Sequence, residues 1–312
     1  MNAMCKLGRY FPSILNAKQV VKSSKSENCR FDKNSIICNP SVIAHVHFDE
    51  RKIYYNPNTL ALYTLANYNM LIETNQEVYR DNFFRHVNWL LNNYVNRKTH
   101  VVWVFDFEWR TPGYHCKPPW VSAMAQGLII SALLRAYEMT EDDRYIVVAK
   151  KAVESFNRNI SEGGVSYVDK NDDWWYEEYA CQKRGTPMNG FIFSLLGLYE
   201  FYKVTGDEHA KHLFDKGIKT LKKHLNDYVL NMGFFKWSKY DTKLQIIAAK
   251  SYHNLHIAMM LLLYELTNDK IFLEYHYAFK QMEERHDRLH SIIFTSMQLA
   301  AKVLRGLKLM KS

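Results

Sequence analysis

Four threonines at nearly constant intervals, Thr74, Thr140, Thr205 and Thr267, constrain the fold of this chain more than any other feature. The intervals are 66, 65 and 62 residues. Each Thr closes an apolar run rich in aromatic residues. An acid or amide follows within three residues, and then an amphipathic run. Leu71, Tyr137, Tyr202 and Tyr264 stand three positions before the threonines, and Tyr79, Tyr145, Ala210 and Phe272 five positions after them. Self-similarity at a fixed period marks a repeated supersecondary unit. Here that unit is a helical hairpin.

The second copy shows what each helix faces. Tyr145, Val148, Ala149, Ala152, Val153 and Phe156 fall on one stripe, with Asp143, Lys150, Lys151 and Glu154 off it. This is the period of a helix buried on one side. The preceding run, Met124 to Met139, is apolar almost all round and carries Ala123, Ala125, Gly127, Ser131 and Ala132, small residues that let neighbours approach closely. Inner helix then outer helix, four times over, predicts an all-α dominated α/α barrel, or toroid, of about four inner/outer pairs. A last helix from about Ser291 to Arg305 would close or cap the ring. The expected division is an N-terminal extension over 1–50 and the barrel over 51–312. With 47% hydrophobic and 14% aromatic residues, a chain of 312 residues can fill a core of that size.

Strand-like insertions, not tight turns, separate the copies: Val101 to Trp109 with Lys117 to Trp120, Gly163 to Val168 with Trp174 to Tyr179, and Gly233 to Trp237 through His253. Each enters an inner helix at its N-terminus, so in a toroid they gather at one end. Helix N-termini present free N–H groups and a positive dipole end, which favour an anion there.

The middle insertion holds the densest chemistry. Trp174-Trp175-Tyr176-Glu177-Glu178-Tyr179, followed by Pro187-Met188-Asn189-Gly190-Phe191, combines aromatics for sugar stacking with carboxylates for proton transfer. A purely structural hairpin is the competing reading. The net charge of +9, from 41 Lys and Arg against 32 Asp and Glu, suits an anionic partner. Neither a nucleic-acid motif nor a dense basic run is present, which leaves an acidic polysaccharide, or a charge excess that only keeps the surface soluble. The N-terminus lacks a secretory h-region and no run of about 18 apolar residues occurs, so a soluble, cytoplasmic protein with no membrane span is expected. Cys5, Cys29, Cys38, Cys116 and Cys181 are odd in number and scattered, so reduced thiols are expected. His45 and His47 would share a strand face, and His253 and His256 one helix turn. Neither pair has further ligands at suitable spacing, so no metal or other cofactor is expected.

Pro119-Trp120-Val121-Ser122-Ala123-Met124-Ala125-Gln126-Gly127, Trp175-Tyr176-Glu177-Glu178-Tyr179, Met188-Asn189-Gly190-Phe191 and Tyr252-His253-x-x-His256-Ile257, in that order, resemble the C-terminal catalytic region of the D-glucuronyl C5-epimerases. Those enzymes invert C5 of glucuronate to iduronate within heparosan-type chains, and the resemblance runs from about Tyr54 to the end of the last repeat. It implies catalytic roles for Glu178, Tyr179 and Tyr252. Epimerisation takes a proton from the carbon next to a carboxylate and returns one to the opposite face, so it needs two acid/base groups and donors for an enolate-like intermediate. Substrate-binding candidates are Trp120, Gln126, Tyr176, Asn189, His253 and His256, with Arg184, Lys236 and Lys239 as partners for uronate carboxylates. Gln126 as a packing or capping residue and His256 as a satisfied core residue are the alternatives. The animal enzymes carry additional β domains before this region, where about 50 residues stand here, so dimerisation is left open. A second tyrosine of the family, in a strand upstream of the Tyr-His motif, falls near Lys236 or Trp237. In an ideal strand Glu178 and Tyr179 would point to opposite faces, so either a bulge re-aims them or one alone enters the cleft. Two other functions fit: a polysaccharide lyase, which begins with the same C5 proton abstraction, and a non-catalytic glycan-binding module.

Overall fold

The computed structural model describes residues 7–24, 30–38, 52–111, 113–181 and 186–309. His45, His47, Cys5, Cys29 and Arg184 lie outside them. The described helices are α1 (Ala17–Ser23), α2 (Pro57–Thr74), α3 (Glu77–Asn92), α4 (Ala123–Thr140), α5 (Asp143–Val153), α6 (Met188–Thr205), α7 (Glu208–His224), α8 (Lys250–Thr267) and α9 (Lys270–Leu309). The repeat threonines are the last residues of α2, α4, α6 and α8, so the four pairs are α2/α3, α4/α5, α6/α7 and α8/α9.

The threonine corner is one hydrogen-bonded device built four times. Each Thr Oγ1 donates to the carbonyl four residues back: Thr74 to Met70, Thr140 to Ala136, Thr205 to Phe201 and Thr267 to Leu263, at 2.7 or 2.8 Å. The next residue is left-handed: Asn75 (φ 53°), Glu141 (φ 56°), Gly206 (φ 69°) and Asn268 (φ 55°). Its N–H donates to the carbonyl of Leu71, Tyr137, Tyr202 or Tyr264, the residues three before each Thr. Helices commonly end on such a left-handed residue. In the last three copies Thr Oγ1 also accepts from the N–H of Asp142, Asp207 or Asp269. That Asp caps the outer helix through its side chain.

The chain forms two compact units, Met1–Thr186 with Gly190–Leu221 and Pro187–Asn189 with Lys222–Ser312. In the first, α2 and α4 are buried on nearly every side, whereas α5 buries only Tyr145, Val148, Ala149, Ala152 and Val153, its predicted stripe. A Cβ added to Gly127 would lie 2.5 Å from the Phe193 carbonyl, and one on Gly197 2.4 Å from the Gly127 carbonyl. The α4 and α6 backbones therefore touch, as the small residues of α4 anticipated. Away from the insertions, Arg135 is fully buried and forms a two-pronged ion pair with Glu200 at 2.8 and 2.7 Å. The rings of Tyr10 and Tyr68 lie 5.0 and 5.4 Å from its guanidinium carbon. Asn69 holds the Tyr10 main chain on both its N–H and its carbonyl.

In the second unit α8 packs on α9. The expected separate closing helix is instead the continuation of α9, 40 residues long, because no proline interrupts the run and its one glycine, Gly306, lies near the end. Unlike α2 and α4, α8 buries a single stripe of His253, His256, Met259, Met260, Leu262 and Leu263. The insertions form antiparallel hairpins: Trp109–Thr111 with Tyr114–Cys116 before α4, Ser166–Val168 with Trp174–Tyr176 before α6, and Val229–Asn231, Lys236–Asp241 and Ile246–Ile247 before α8.

Candidate active site

The strand Trp174–Tyr176 stops one residue before the two carboxylates, and Glu178 and Tyr179 lie in a bend. This resolves the alternation problem. The bend is pinned to the start of α4: Glu177 N–H donates to the Val165 carbonyl (2.9 Å), Ala123 N–H to the Glu177 carbonyl (2.9 Å) and Ala180 N–H to the Val121 carbonyl (3.1 Å). Glu177 and Glu178 are buried, at 1% and 6% exposure. A Cβ on Gly190 would stand 2.1 Å from Glu178 Oε2. The carboxylate thus lies against the first turn of α6, where only glycine leaves it room and where the helix dipole favours its charge.

Tyr179 sits in an aromatic cage, with ring centroids 4.4 Å from Tyr114, 6.0 Å from Trp109 and 6.1 Å from Trp120. Trp120 is itself buried, stacked on Phe105 at 3.9 Å, its indole N–H donating to the Phe107 carbonyl. It backs Tyr179 and is not an open stacking platform. Two other candidates serve the frame. Gln126 Oε1 accepts from Trp103 N–H, while its Nε2 donates to the Val101 carbonyl and Ser155 Oγ. Tyr176 donates to the Leu213 carbonyl, and burial pushes its phenol pKa well up. Buried main chain needs partners, and both side chains supply them.

The expectation of reduced thiols fails at Cys116 and Cys181, which form a disulfide with Cα atoms 5.3 Å apart. The hairpin before α4 and the Val121–Ala180 bridge bring together two residues that sequence spacing does not connect. Cys38 is a buried thiol, its pKa raised by burial. The cross-link spans 65 residues and closes the cage around Tyr179. Cys181→Ser is expected to cost ~2 to 4 kcal/mol through the unfolded state. Thermal unfolding should show a lower midpoint for the variant and for the reduced parent. Equal midpoints with and without reductant would contradict a stabilising role.

In the second unit the strand Lys236–Asp241 carries Lys236, exposed, and Lys239, half-buried. Trp237 is a core residue, sandwiched between His253 (3.9 Å) and His290 (4.1 Å). The pairing register shifts between Lys239 and Asp241, so the irregularity falls at Tyr240, whose ring meets Tyr252 at 4.8 Å. Such irregularities re-aim side chains. The phenol beside Tyr252 is Tyr240. A count along the strand could not locate it without the shift. Tyr252 is 39% exposed, in the first turn of α8.

The hydrogen bonds also fix the tautomers of His253 and His256. His253 Nε2 faces the Phe279 carbonyl at 3.0 Å and must donate, so Nδ1 accepts from the Ser238 hydroxyl at 2.8 Å. Ser238 Oγ then accepts from His256 Nδ1 at 3.0 Å, leaving Nε2 of His256 as a bare acceptor. Both rings are neutral and anchor the start of α8; His253 has no donor left for a ligand. Asn189 is 4% exposed, and its Oδ1 has no hydrogen bond among the described residues.

Burial lowers the pKa of His253 to about 4 and of His256 to about 3. An unfolded histidine titrates near ~6.5, so below that pH the unfolded chain binds protons that the folded one refuses. Stability from this source is complete above pH ~6.5 and falls on acidification towards the folded values. By pH 5 the loss should reach roughly 2 kcal/mol per histidine. A urea midpoint unchanged between pH 7 and pH 5 would contradict this. Among the described residues no group of three or more His, Cys, Asp or Glu could hold a metal, and no helix is long and apolar enough to cross a membrane.

The family described as D-glucuronyl C5-epimerase C-terminus matches residues 96–281, more than half of the chain. The chain belongs to that family. Of the curated relatives, an uncharacterized protein of Methanocaldococcus jannaschii is 33% identical over 186 residues, 59% of this chain and 58% of the relative. The D-glucuronyl C5-epimerase of Caenorhabditis elegans is 31% identical over 172 residues, 49% of this chain and 27% of the relative. The matches thus span less than two thirds of either relative. Among solved structures, a sugar epimerase from a ruminal bacterium aligns with TM-score 0.58 at 12% identity, over 87% of this chain and 69% of that one. A family 76 glycoside hydrolase (mannosidase) from Bacteroides thetaiotaomicron aligns with TM-score 0.50 at 12% identity, over 85% and 69%. These two show the fold, an α/α toroid type with hairpin insertions. The chain is thus related to proteins described as D-glucuronyl C5-epimerases.

Proposed function

We propose that the protein inverts C5 of D-glucuronate to L-iduronate within an acidic, heparosan-like polysaccharide. The observation that carries this reading is that the family match takes in both the Glu178–Tyr179 bend and the Tyr252 turn. Each stands at the N-terminal end of an inner helix. In the reaction the C5–H bond breaks, its electron pair moves into the carboxylate as an enolate, and a base takes the proton. A phenol then gives a proton to the opposite face of C5, so no oxidant or reductant is needed. Glu178 is the base in this scheme, with a carboxylate already placed against a helix N-terminus. Tyr252 is the acid, a role that needs no lowered phenol pKa. Tyr240 supports its ring, Tyr179 completes the wall beside Glu178, and Lys236 and Lys239 attract uronate carboxylates. Arg184 is proposed for the same task from sequence alone.

Incubating a glucuronate polymer with the protein in heavy water and following the C5 hydrogen by NMR tests the proposal. Deuterium at C5, iduronate signals and an unchanged chain length are expected. Unsaturated chain ends with a shortened polymer would establish a lyase instead, and binding without exchange a glycan-binding module.

A further inference from the structure

In the second unit, α8 begins without the device that starts two of its counterparts. Asn56 and Ser122 cap α2 and α4, their side chains accepting from the N–H of Thr59 and Ala125. Ala249 stands at the same point of α8 and offers no side-chain bond. The start of α8 is held from outside instead, by the strand Lys236–Asp241 and by α9. Ala248 N–H donates to the Ser238 carbonyl at 3.0 Å, and the Ala248 carbonyl accepts from the Trp237 indole N–H at 2.9 Å and from His290 Nε2 at 3.0 Å.

Ser238 adds a side-chain link to this hold. It is fully buried, and its one hydroxyl joins two histidines of α8, donating to His253 Nδ1 at 2.8 Å and accepting from His256 Nδ1 at 3.0 Å. The direction of the chain is fixed at its far end, because His253 Nε2 faces the Phe279 carbonyl and must carry a proton. One hydroxyl thus requires opposite tautomers, Nε2–H at His253 and Nδ1–H at His256. His253 directly follows Tyr252 and His256 lies one helical turn beyond it. Two residues on from Ser238 in the strand, Tyr240 meets the Tyr252 ring at 4.8 Å. We infer that Ser238 is a positioning residue, whose hydroxyl, clamped between His253 and His256, fixes the strand to the first turn of α8 and so sets where the Tyr252 phenol stands. This rests on the proposed function, in which Tyr252 is the acid. Alanine at 238 would leave two buried imidazole nitrogens without partners, while the main-chain bond to Ala248 remains. The expected loss is therefore of aim. Misplacing a reacting group by about 1 Å can cost on the order of a hundredfold in rate.

The test compares the full chain with Ser238→Ala and Ser238→Thr. Ring-nitrogen NMR of the parent's histidines should show the two opposite tautomers at neutral pH; one tautomer for both overturns the clamp. Ser238→Ala should lower kcat for C5 exchange roughly 10- to 100-fold with KM changed less than about twofold, and Ser238→Thr, which keeps the hydroxyl, should restore kcat to within about threefold. A hydroxyl that only adds stability would lower the urea midpoint of Ser238→Ala and leave kcat at the parental value, which overturns the inference. Should Ser238→Ala not fold, Ser238→Cys takes its place, close in size and a weaker hydrogen-bonding group, with the same outcomes. Nuclear Overhauser contacts between the Tyr240 and Tyr252 rings give a measure that needs no turnover. They should fade in Ser238→Ala and persist in Ser238→Thr; contacts unchanged in Ser238→Ala overturn the positioning role. If the parent exchanges no C5 hydrogen yet the ring contacts follow this pattern, the clamp stands and the epimerase reading alone falls.

Discussion

Glu178→Gln and Tyr252→Phe should each slow C5 hydrogen exchange by ~100 to 10,000-fold while leaving the fold and polymer binding intact. Glutamine fills the space of the carboxylate beside Gly190 without its charge or basicity. Phenylalanine keeps the ring packed on Tyr240 and removes only the oxygen. Glu178 is buried and follows a strand anchored by main-chain hydrogen bonds, so its replacement leaves the bend in place. Deuterium uptake at C5, measured at equal protein concentration, distinguishes the cases. Near-parental uptake in both variants would sink the proposed two-sided mechanism, whereas loss in only one would show that a single group serves both faces.

A second large effect is expected at a buried ion pair. Arg135 and Glu200 are both buried, so removing one leaves the other as an uncompensated charge, and Arg135→Met should cost ~3 to 5 kcal/mol. The double variant Arg135→Met with Glu200→Leu should recover most of this, because burying an ion pair carries its own desolvation penalty. Urea unfolding of the two singles and the double gives the answer directly. If the double variant is as unstable as the singles combined, the loss comes from packing against Tyr10 and Tyr68 and not from the stranded charge.

The helical part of the molecule was legible because its determinants are local. Thr, the left-handed residue and the capping Asp lie within three positions of one another, and the stripe of α5 is contained in eleven residues. What could not be read depends on residues meeting across the chain. The Cys116–Cys181 link joins positions 65 apart, and Gln126 is occupied by main chain more than twenty positions away. Tyr240 was missed because a register shift moves it, and such a shift leaves no mark in residue types. His253 and His256 stand out in the sequence as a pair, but only Ser238 and the Phe279 carbonyl show that His253 has no donor to offer.

The four corners also separate two evolutionary pressures along each inner helix. At the C-terminal end of α2, α4, α6 and α8 the same Thr bond and left-handed turn recur with little variation. The insertions at the opposite ends of α4, α6 and α8 differ in length, pairing and composition. A lineage can therefore rewrite the end proposed to meet sugar by exchanging hairpins, because the corners that close each helical pair draw on none of those residues. Relatives that act on quite different glycans would then be expected to share the corners and differ in the hairpins.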